Sequence, residues 1–354
     1  MGGLSRNARL ALVGVVAFTA LSGVGRYAGW TPVLAFALAT AALAGLAWVV
    51  SFATEQVGER LGPAATGLLQ STVGNLPELF VVLFAIDKGE TVVAQTSILG
   101  SIFANAMLVL GLVIVVGARR SRDGIMRFSR QLPRDTATLL LLTVFIIAVV
   151  ALSLSSHDKA SHHVQGVSVV AAVVLLIVYL TWVVPYVRGP APPTPVGRAT
   201  GPRVGIALAV VLLVAGGVGS AFVSDWFINA LRPAIDRLNL TAAFAGLVIV
   251  AIAGNAVENV AGVVLAHKGK SDLAISVVKN SVSQIAAFLF PLLVLISLPF
   301  ATPLTFAISP VYVGALALMA IAVWQITGDG EAAAFEGFAL IALYVVLAAL
   351  TLYE

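Results

Sequence analysis

The chain has 354 residues, 60% of them hydrophobic and only 10% charged, with a formal net charge of +4 and no cysteine. Soluble domains carry about 25% charged residues, so a sizeable soluble domain is excluded, and the lack of cysteine excludes disulfides and thiolate metal sites. The basic residues sit in short loops and not in a patch interleaved with aromatics, which excludes a nucleic-acid partner and leaves the lipid bilayer as the surroundings of most of the chain.

A membrane-spanning helix needs about 20 mainly apolar residues. Eleven segments meet this in chain order: 8–28, 31–57, 62–86, 91–117, 136–154, 164–187, 204–224, 241–266, 273–298, 304–326 and 332–352. The opening MGGLSRNARL runs into the first of them without a small-residue cleavage site and reads as the start of a span, not a removable signal. Two connections stand out. RRSRDGIMRFSRQLPR, 119–134, is basic, and RGPAPPTPVGRATGPR, 188–203, is a Pro/Gly-rich linker. Lys and Arg set orientation by collecting on the cytoplasmic side. With the N-terminus inside, that side holds Arg6, Arg9, Arg60, the six arginines of 119–134, Arg188, Arg198, Arg203, Lys268 and Lys270. The other side holds Arg26, Lys88, Lys159, Arg232 and Arg237, while Lys279 falls within a span. The expectation is an integral protein of a prokaryotic plasma membrane with its N-terminus cytoplasmic and its C-terminus outside.

Two apolar runs carry one polar pattern. Gly74-Asn75-x-x-Glu78 recurs as Gly254-Asn255-x-x-Glu258, Gly100-Ser101 matches Asn280-Ser281, and Thr54-Glu55 has a looser counterpart in Ser224-Asp225. The motifs lie on the third and eighth spans. Five spans apart, equivalent helices cross the membrane in opposite directions, the mark of an inverted repeat. The fold expected is an all-α polytopic membrane protein of eleven transmembrane helices. It comprises an extra N-terminal helix (1–30), a first five-helix repeat (31–187), the cytoplasmic linker (188–203) and a second, inverted five-helix repeat (204–354).

Glu78 precedes Asp87, and Glu258 precedes His267, by the same short interval. At 1.5 Å per residue each acid lies ~13 Å from its loop, close to the midplane of a ~30 Å hydrocarbon core. Gly and Asn are poor formers of a helix interior, and a loosened turn at that depth is tolerated where protein or water satisfies its backbone. Each motif thus offers a carboxylate, an amide oxygen and backbone carbonyls. Glu78, Glu258, Asn75 and Asn255 together make an all-oxygen set of charge −2, suited to a hard cation such as Ca2+ and lacking the ligands of softer metals. Bare, the paired acids repel and are poorly solvated; one divalent cation or two protons quenches them. If only the neutral site crosses easily between inward- and outward-facing states, cation and protons must alternate, which is antiport.

ATEQVGERLGPAATGLLQSTVGNLPELF with AQTSILGSIFANAMLVLG, and IAGNAVEN with SVVKNSVSQIAAFLFPLLVLI, resemble the two signature regions of the cation/proton exchangers, the Ca2+/H+ branch of the calcium/cation antiporter superfamily; FEGFALIALYVV resembles its last helix. The resemblance implies eleven helices in a five-plus-five inverted repeat and proton-driven Ca2+ export. It makes Glu78 and Glu258 the metal- and proton-carrying acids. It makes Gln95, Ser97, Asn105, Ser281 and Gln284 polar residues of the partner helices, and Glu55 and Asp225 acidic positions near helix ends, in gating or the proton path. Ca2+ and H+ are then cargo, and no cofactor is implied. The chain departs from the family at Asn259, where His is usual, at Lys279 and Asn280, at Pro77 and at Gln70. An ammonium from Lys279 at the site would cancel one negative charge and disfavour a divalent ion; alternatively its stem carries the charge toward the cytoplasm.

Beside Ca2+/H+ antiport stand a Na+ or other monovalent-cation exchanger of the same fold, a cation channel, and a membrane-embedded hydrolase. The duplication disfavours the channel. The hydrolase lacks an activated nucleophile, a metal-binding His pair or a phosphate-cradling loop in the spans, so an enzyme is not expected. His157, His162 and His163 read as a solvated loop, Glu336 as interfacial, and no oligomeric state follows from the sequence.

Overall fold

The computed structural model describes residues 5–61, 73–188 and 204–354. The first part of the expected third span, with Gln70, and nearly all of the Pro/Gly linker lie outside these residues. Twelve helical stretches follow in chain order: α1 (Arg6–Tyr27), α2 (Pro32–Leu61), α3 (Leu76–Asp87), α4 (Thr91–Arg120), α5 (Gln131–Ser156), α6 (Val164–Arg188), α7 (Ile206–Leu238), α8 (Ala242–Gly254), α9 (Ala256–His267), α10 (Ser271–Ile296), α11 (Pro310–Thr327) and α12 (Ala334–Thr351). Among the described residues nine helices are long and apolar enough to cross a membrane, or ten if α8 and α9 form one bent span.

Local chemistry sets most boundaries. The Ser5 hydroxyl caps α1 by accepting from Ala8 N, and Thr241 caps α8 by accepting from Phe244 N. His157 and Asn239 end α5 and α7 in the left-handed region, both at φ 55°. Two spans differ from the hydropathy reading. Helix α7 runs 33 residues to Leu238 and not to 224, so Asp225 lies well inside it. Hydropathy falls at Asp225, Asn229 and Arg232, but polar side chains do not stop helical backbone. Helix α11 starts at Pro310, a favoured first position. The residues before it are held otherwise: Leu304 N donates to Ser297 Oγ at 2.8 Å, and Phe306 N to Ser168 Oγ at 3.2 Å.

The basic connection holds β1 (Ile125–Arg127), which pairs antiparallel with β2 (Glu331–Ala333), Met126 opposite Ala332. Strands this short leave too little alternation to be read from sequence.

Local geometry repeats near an offset of 180 positions. Helices α3 and α9 each have 12 residues. Gly89 and Gly269 follow them at φ 76° and 74°, a conformation that glycine alone adopts without cost. The next helices carry π turns at Ala104–Val109 and Ile285–Leu289.

The chain forms two compact units, Met1–Phe84 with Leu180–Asn239, and Ala85–Tyr179 with Leu240–Glu354. In the first, α2 packs on α1 and α7 through small residues. A Cβ on Gly45 would meet Val15 Cγ2 at 2.7 Å, and one on Gly216 would meet Val50 Cγ2 at 2.9 Å. The Phe36 and Phe227 rings pack there at 4.9 Å. In the second, α4 touches α12 backbone to backbone: a Cβ on Gly111 would stand 2.5 Å from Gly337 O, and one on Gly337 would stand 2.6 Å from Gly111 O. Helices α4 and α10, which carry most of the polar site residues, are also the most buried spans.

Candidate functional site: a broken helix and its partners

Helix α8 turns into a π segment at Ala245–Val250, resumes, and stops at Gly254. Asn255 leaves helical geometry at φ −98°, ψ 13°, and α9 continues after a bend of 59°. The cause is local. Gly and Asn favour non-helical backbone, and Asn255 Nδ2 reaches back to Ala251 O at 2.9 Å, the side-chain bond that competes with helix. The break gives α9 a new N-terminus with Glu258 in its first turn, where the partial positive charge of the unpaired N–H groups favours a carboxylate.

Three helices of this unit meet at Asn255. Asn105, wholly buried in the π turn of α4, donates from Nδ2 to Asn255 Oδ1 at 2.9 Å and to Ser281 Oγ of α10 at 3.1 Å. Asn255 Nδ2 donates to Ser101 Oγ at 2.9 Å. Ser281 Oγ donates a hydrogen bond to Glu258 Oε2 at 3.0 Å. Asn105 Oδ1 is buried with no hydrogen-bond partner among the described residues. Glu258 is half-buried, and Asn105, Asn255, Ser101 and Ser281 are buried. A connected set of amide, hydroxyl and carboxylate groups in an apolar interior is suited to holding a small hard cation or a proton.

Among the remaining expected residues, Glu78 and Asn75 belong to the first unit. Glu78 is 7% exposed in the first turn of α3, and the Asn75 carbonyl accepts from Leu79 N at 3.0 Å. Asp225 is half-buried within α7, where its carbonyl accepts from Asn229 Nδ2 at 2.7 Å, and Glu55 is exposed on α2. In the second unit Gln95 Nε2 donates to Ala307 O at 3.3 Å, and Ser97 bonds within its own helix to Ala94 O at 3.0 Å. Gln284 is half-buried at the start of the second π turn, and Asn259 is half-buried one position after Glu258. Lys279 is 3% exposed and donates from Nζ to Thr327 Oγ1, the last residue of α11, at 2.6 Å. Its side-chain nitrogen is thus buried against the end of α11. Thr327, which in turn donates to Val323 O, was not anticipated, and neither was the Ala251 carbonyl. The one sequence signal for Ala251 is its position four residues before an Asn in a weak helix.

The fold and the site define a polytopic helical membrane protein whose polar centre is built at a break in a buried helix. The family profile described as sodium/calcium exchanger protein matches residues 31–186 and 208–353, and the chain belongs to that family. It is 31% identical to the Ca2+/H+ antiporter of Synechocystis sp. over 98% of this chain and 97% of that one. It is 32% identical to the vacuolar calcium ion transporter of Schizosaccharomyces pombe over 92% of this chain and 81% of the other. The solved structure of native YfkE superposes with a TM-score of 0.81 at 25% identity, covering 97% of this chain and all of that one.

Proposed function

We propose that the protein is a secondary active antiporter that exchanges Ca2+ for protons by alternating access. Its carriers are Glu78 and Glu258, each loaded in turn by metal or proton, with Asn75 and Asn255 as further metal ligands. The observation that carries the reading is Glu258 itself: a carboxylate kept in an apolar span, at a helix break, accepting a hydrogen bond from Ser281. Relatives named as Ca2+/H+ antiporter and calcium ion transporter over nearly the whole chain support Ca2+ as the cation.

The architecture proposed is eleven spans, one extra helix followed by an inverted five-plus-five repeat, with repeats at 31–187 and 204–354. The recurrence of break, helix, glycine turn and π turn near one offset supports it. Gln95, Ser97, Asn105, Ser281 and Gln284 line the transport path in this reading, while Glu55 and Asp225 serve gating or proton transfer. The protein sits in a prokaryotic plasma membrane, N-terminus inside and C-terminus outside. Na+-driven exchange is the other reading, motivated by Asn259 and Lys279.

Reconstitution in vesicles with an internal pH dye and a panel of Ca2+, Na+, K+ and Mg2+ tests the transport reading. Ca2+ entry is expected to drive proton exit, and Glu78→Gln and Glu258→Gln are each expected to abolish the exchange. Cation uptake indifferent to an imposed pH gradient, or full exchange by Glu258→Gln, would overturn the proposal.

A further inference from the structure

The hydrogen bonds around Asn105 form a chain whose direction is set at one end. The Ala251 carbonyl can only accept, so the Asn255 group beside it at 2.9 Å is the amide nitrogen, and Asn255 turns its oxygen toward Asn105. An oxygen there requires a donor opposite, so Asn105 presents Nδ2, and that same nitrogen meets Ser281 Oγ. With a lone pair of Ser281 taken, its hydroxyl proton points onward to Glu258 Oε2. Ser101 Oγ also accepts from Asn255 Nδ2, off the line that runs from the Ala251 carbonyl to Glu258.

We infer that Asn105 is a positioning residue for ion exchange at Glu258. Through it one backbone carbonyl orients Asn255, Asn105 and Ser281, so that a hydroxyl proton is always presented to Oε2, matching the charged carboxylate that receives a cation. The inference rests on the reading of Glu258 as an ion carrier. The array is not duplicated in sequence: 180 positions after Asn105 stands Ile285, whose side chain cannot donate. The two halves of the proposed repeat therefore differ at this position.

The discriminating variant is Asn105→Asp, which keeps size and shape but, ionised, has only acceptors. Were the Asn105 oxygen the group facing Asn255 and Ser281, an ionised aspartate would keep both bonds and change only the charge. The reporter is the Glu258 carboxyl band in infrared difference spectra between cation-loaded and proton-loaded protein, assigned by its disappearance in Glu258→Gln. Asn105→Asp and Ser281→Ala are each expected to move that band and to raise the cation KM roughly tenfold, the scale of a lost hydrogen bond to a charged group. Because both act through one chain, Ser281→Ala with Asn105→Leu is expected to go no further than either alone, and Ser281→Thr is expected to restore the wild-type band. Ser101→Ala is expected to change less than Asn105→Asp. If Asn105→Leu does not fold, Asn105→Asp combined with Ser281→Ala carries the additivity test. An Asn105→Asp protein with wild-type band and KM, or fully additive effects, would overturn the inference. Undiminished transport by Glu258→Gln would instead remove the reading beneath it.

Discussion

Replacing Gly100 by alanine tests how tightly the site depends on helix spacing. A Cβ on Gly100 of α4 would stand 2.3 Å from Leu247 O, 2.5 Å from its Cα and 2.7 Å from its carbonyl carbon in α8. These are backbone atoms, so no rotamer change relieves the clash. Restoring an ordinary contact of 3.4 Å needs the helices to part by about 1 Å. The bond from Asn255 to Ser101, one residue along, is 2.9 Å long. Opened by that amount it reaches roughly 3.9 Å, beyond hydrogen-bond range. Overpacking of this kind costs about 1–3 kcal/mol, and loss of the bond adds about 1 kcal/mol. The assays are thermal unfolding of purified protein, followed by tryptophan fluorescence, and exchange in vesicles. Gly314→Ala and Gly166→Ala serve as comparison, since a Cβ at either position meets nothing within 4 Å. Gly100→Ala is expected to unfold at lower temperature and to lose at least tenfold in exchange, while the other two stay near wild type. Equal stability and activity in all three would refute the argument from backbone contact.

Other outcomes follow from single contacts. Lys279→Met keeps the length of the side chain and removes its bond to Thr327; stability is expected to change by less than about 1.5 kcal/mol and Ca2+ exchange not to rise. A severalfold rise would mean that the ammonium acts on the ion site after all. Asp158 accepts the Ser153 hydroxyl at 2.6 Å and Ser161 N at 3.1 Å, and these bonds, the hydroxyl first, hold its carboxyl below the ordinary range. The depressed value makes the turn's stability fully present above the ordinary aspartate range and lost as pH falls through the lowered one. Hydrogen exchange at Ser161 is expected to quicken over that acid window in the wild type and to be fast at all pH in Asp158→Ala. Arg127, half-exposed between Asp123 and Glu331, makes solvated ion pairs. Arg127→Gln is expected to leave thermal unfolding unchanged at physiological salt, and a clear drop would show that the β1–β2 ribbon depends on charge.

Much of the fold was legible because the bilayer imposes length and apolarity on each span. The ends were less legible. Helix α7 continues past Asp225 because hydropathy reports lipid depth and backbone hydrogen bonding does not depend on it. Residues 304–309 are mainly apolar yet not helical, since side-chain caps from Ser297 and Ser168 hold the nearby backbone in another course. Within the site, the weak turn at Gly254-Asn255 and the acid after it could be read from residue chemistry alone. Ser97, one of the polar residues implied for the partner helices, also bonds to Ala94 O of its own helix, a contact that spacing alone does not reveal.

By itself the order of residues determined that this chain lives in a membrane, that a helix breaks before Glu258, and that an acid stands within an apolar run, because these are local matters of burial cost and backbone preference. Only the tertiary structure decided which groups meet that acid. Asn105, Asn255 and Ser281 lie 150 and 176 positions apart in their contacts, and whether each donates or accepts follows from one backbone carbonyl whose neighbours are set by how three helices pack.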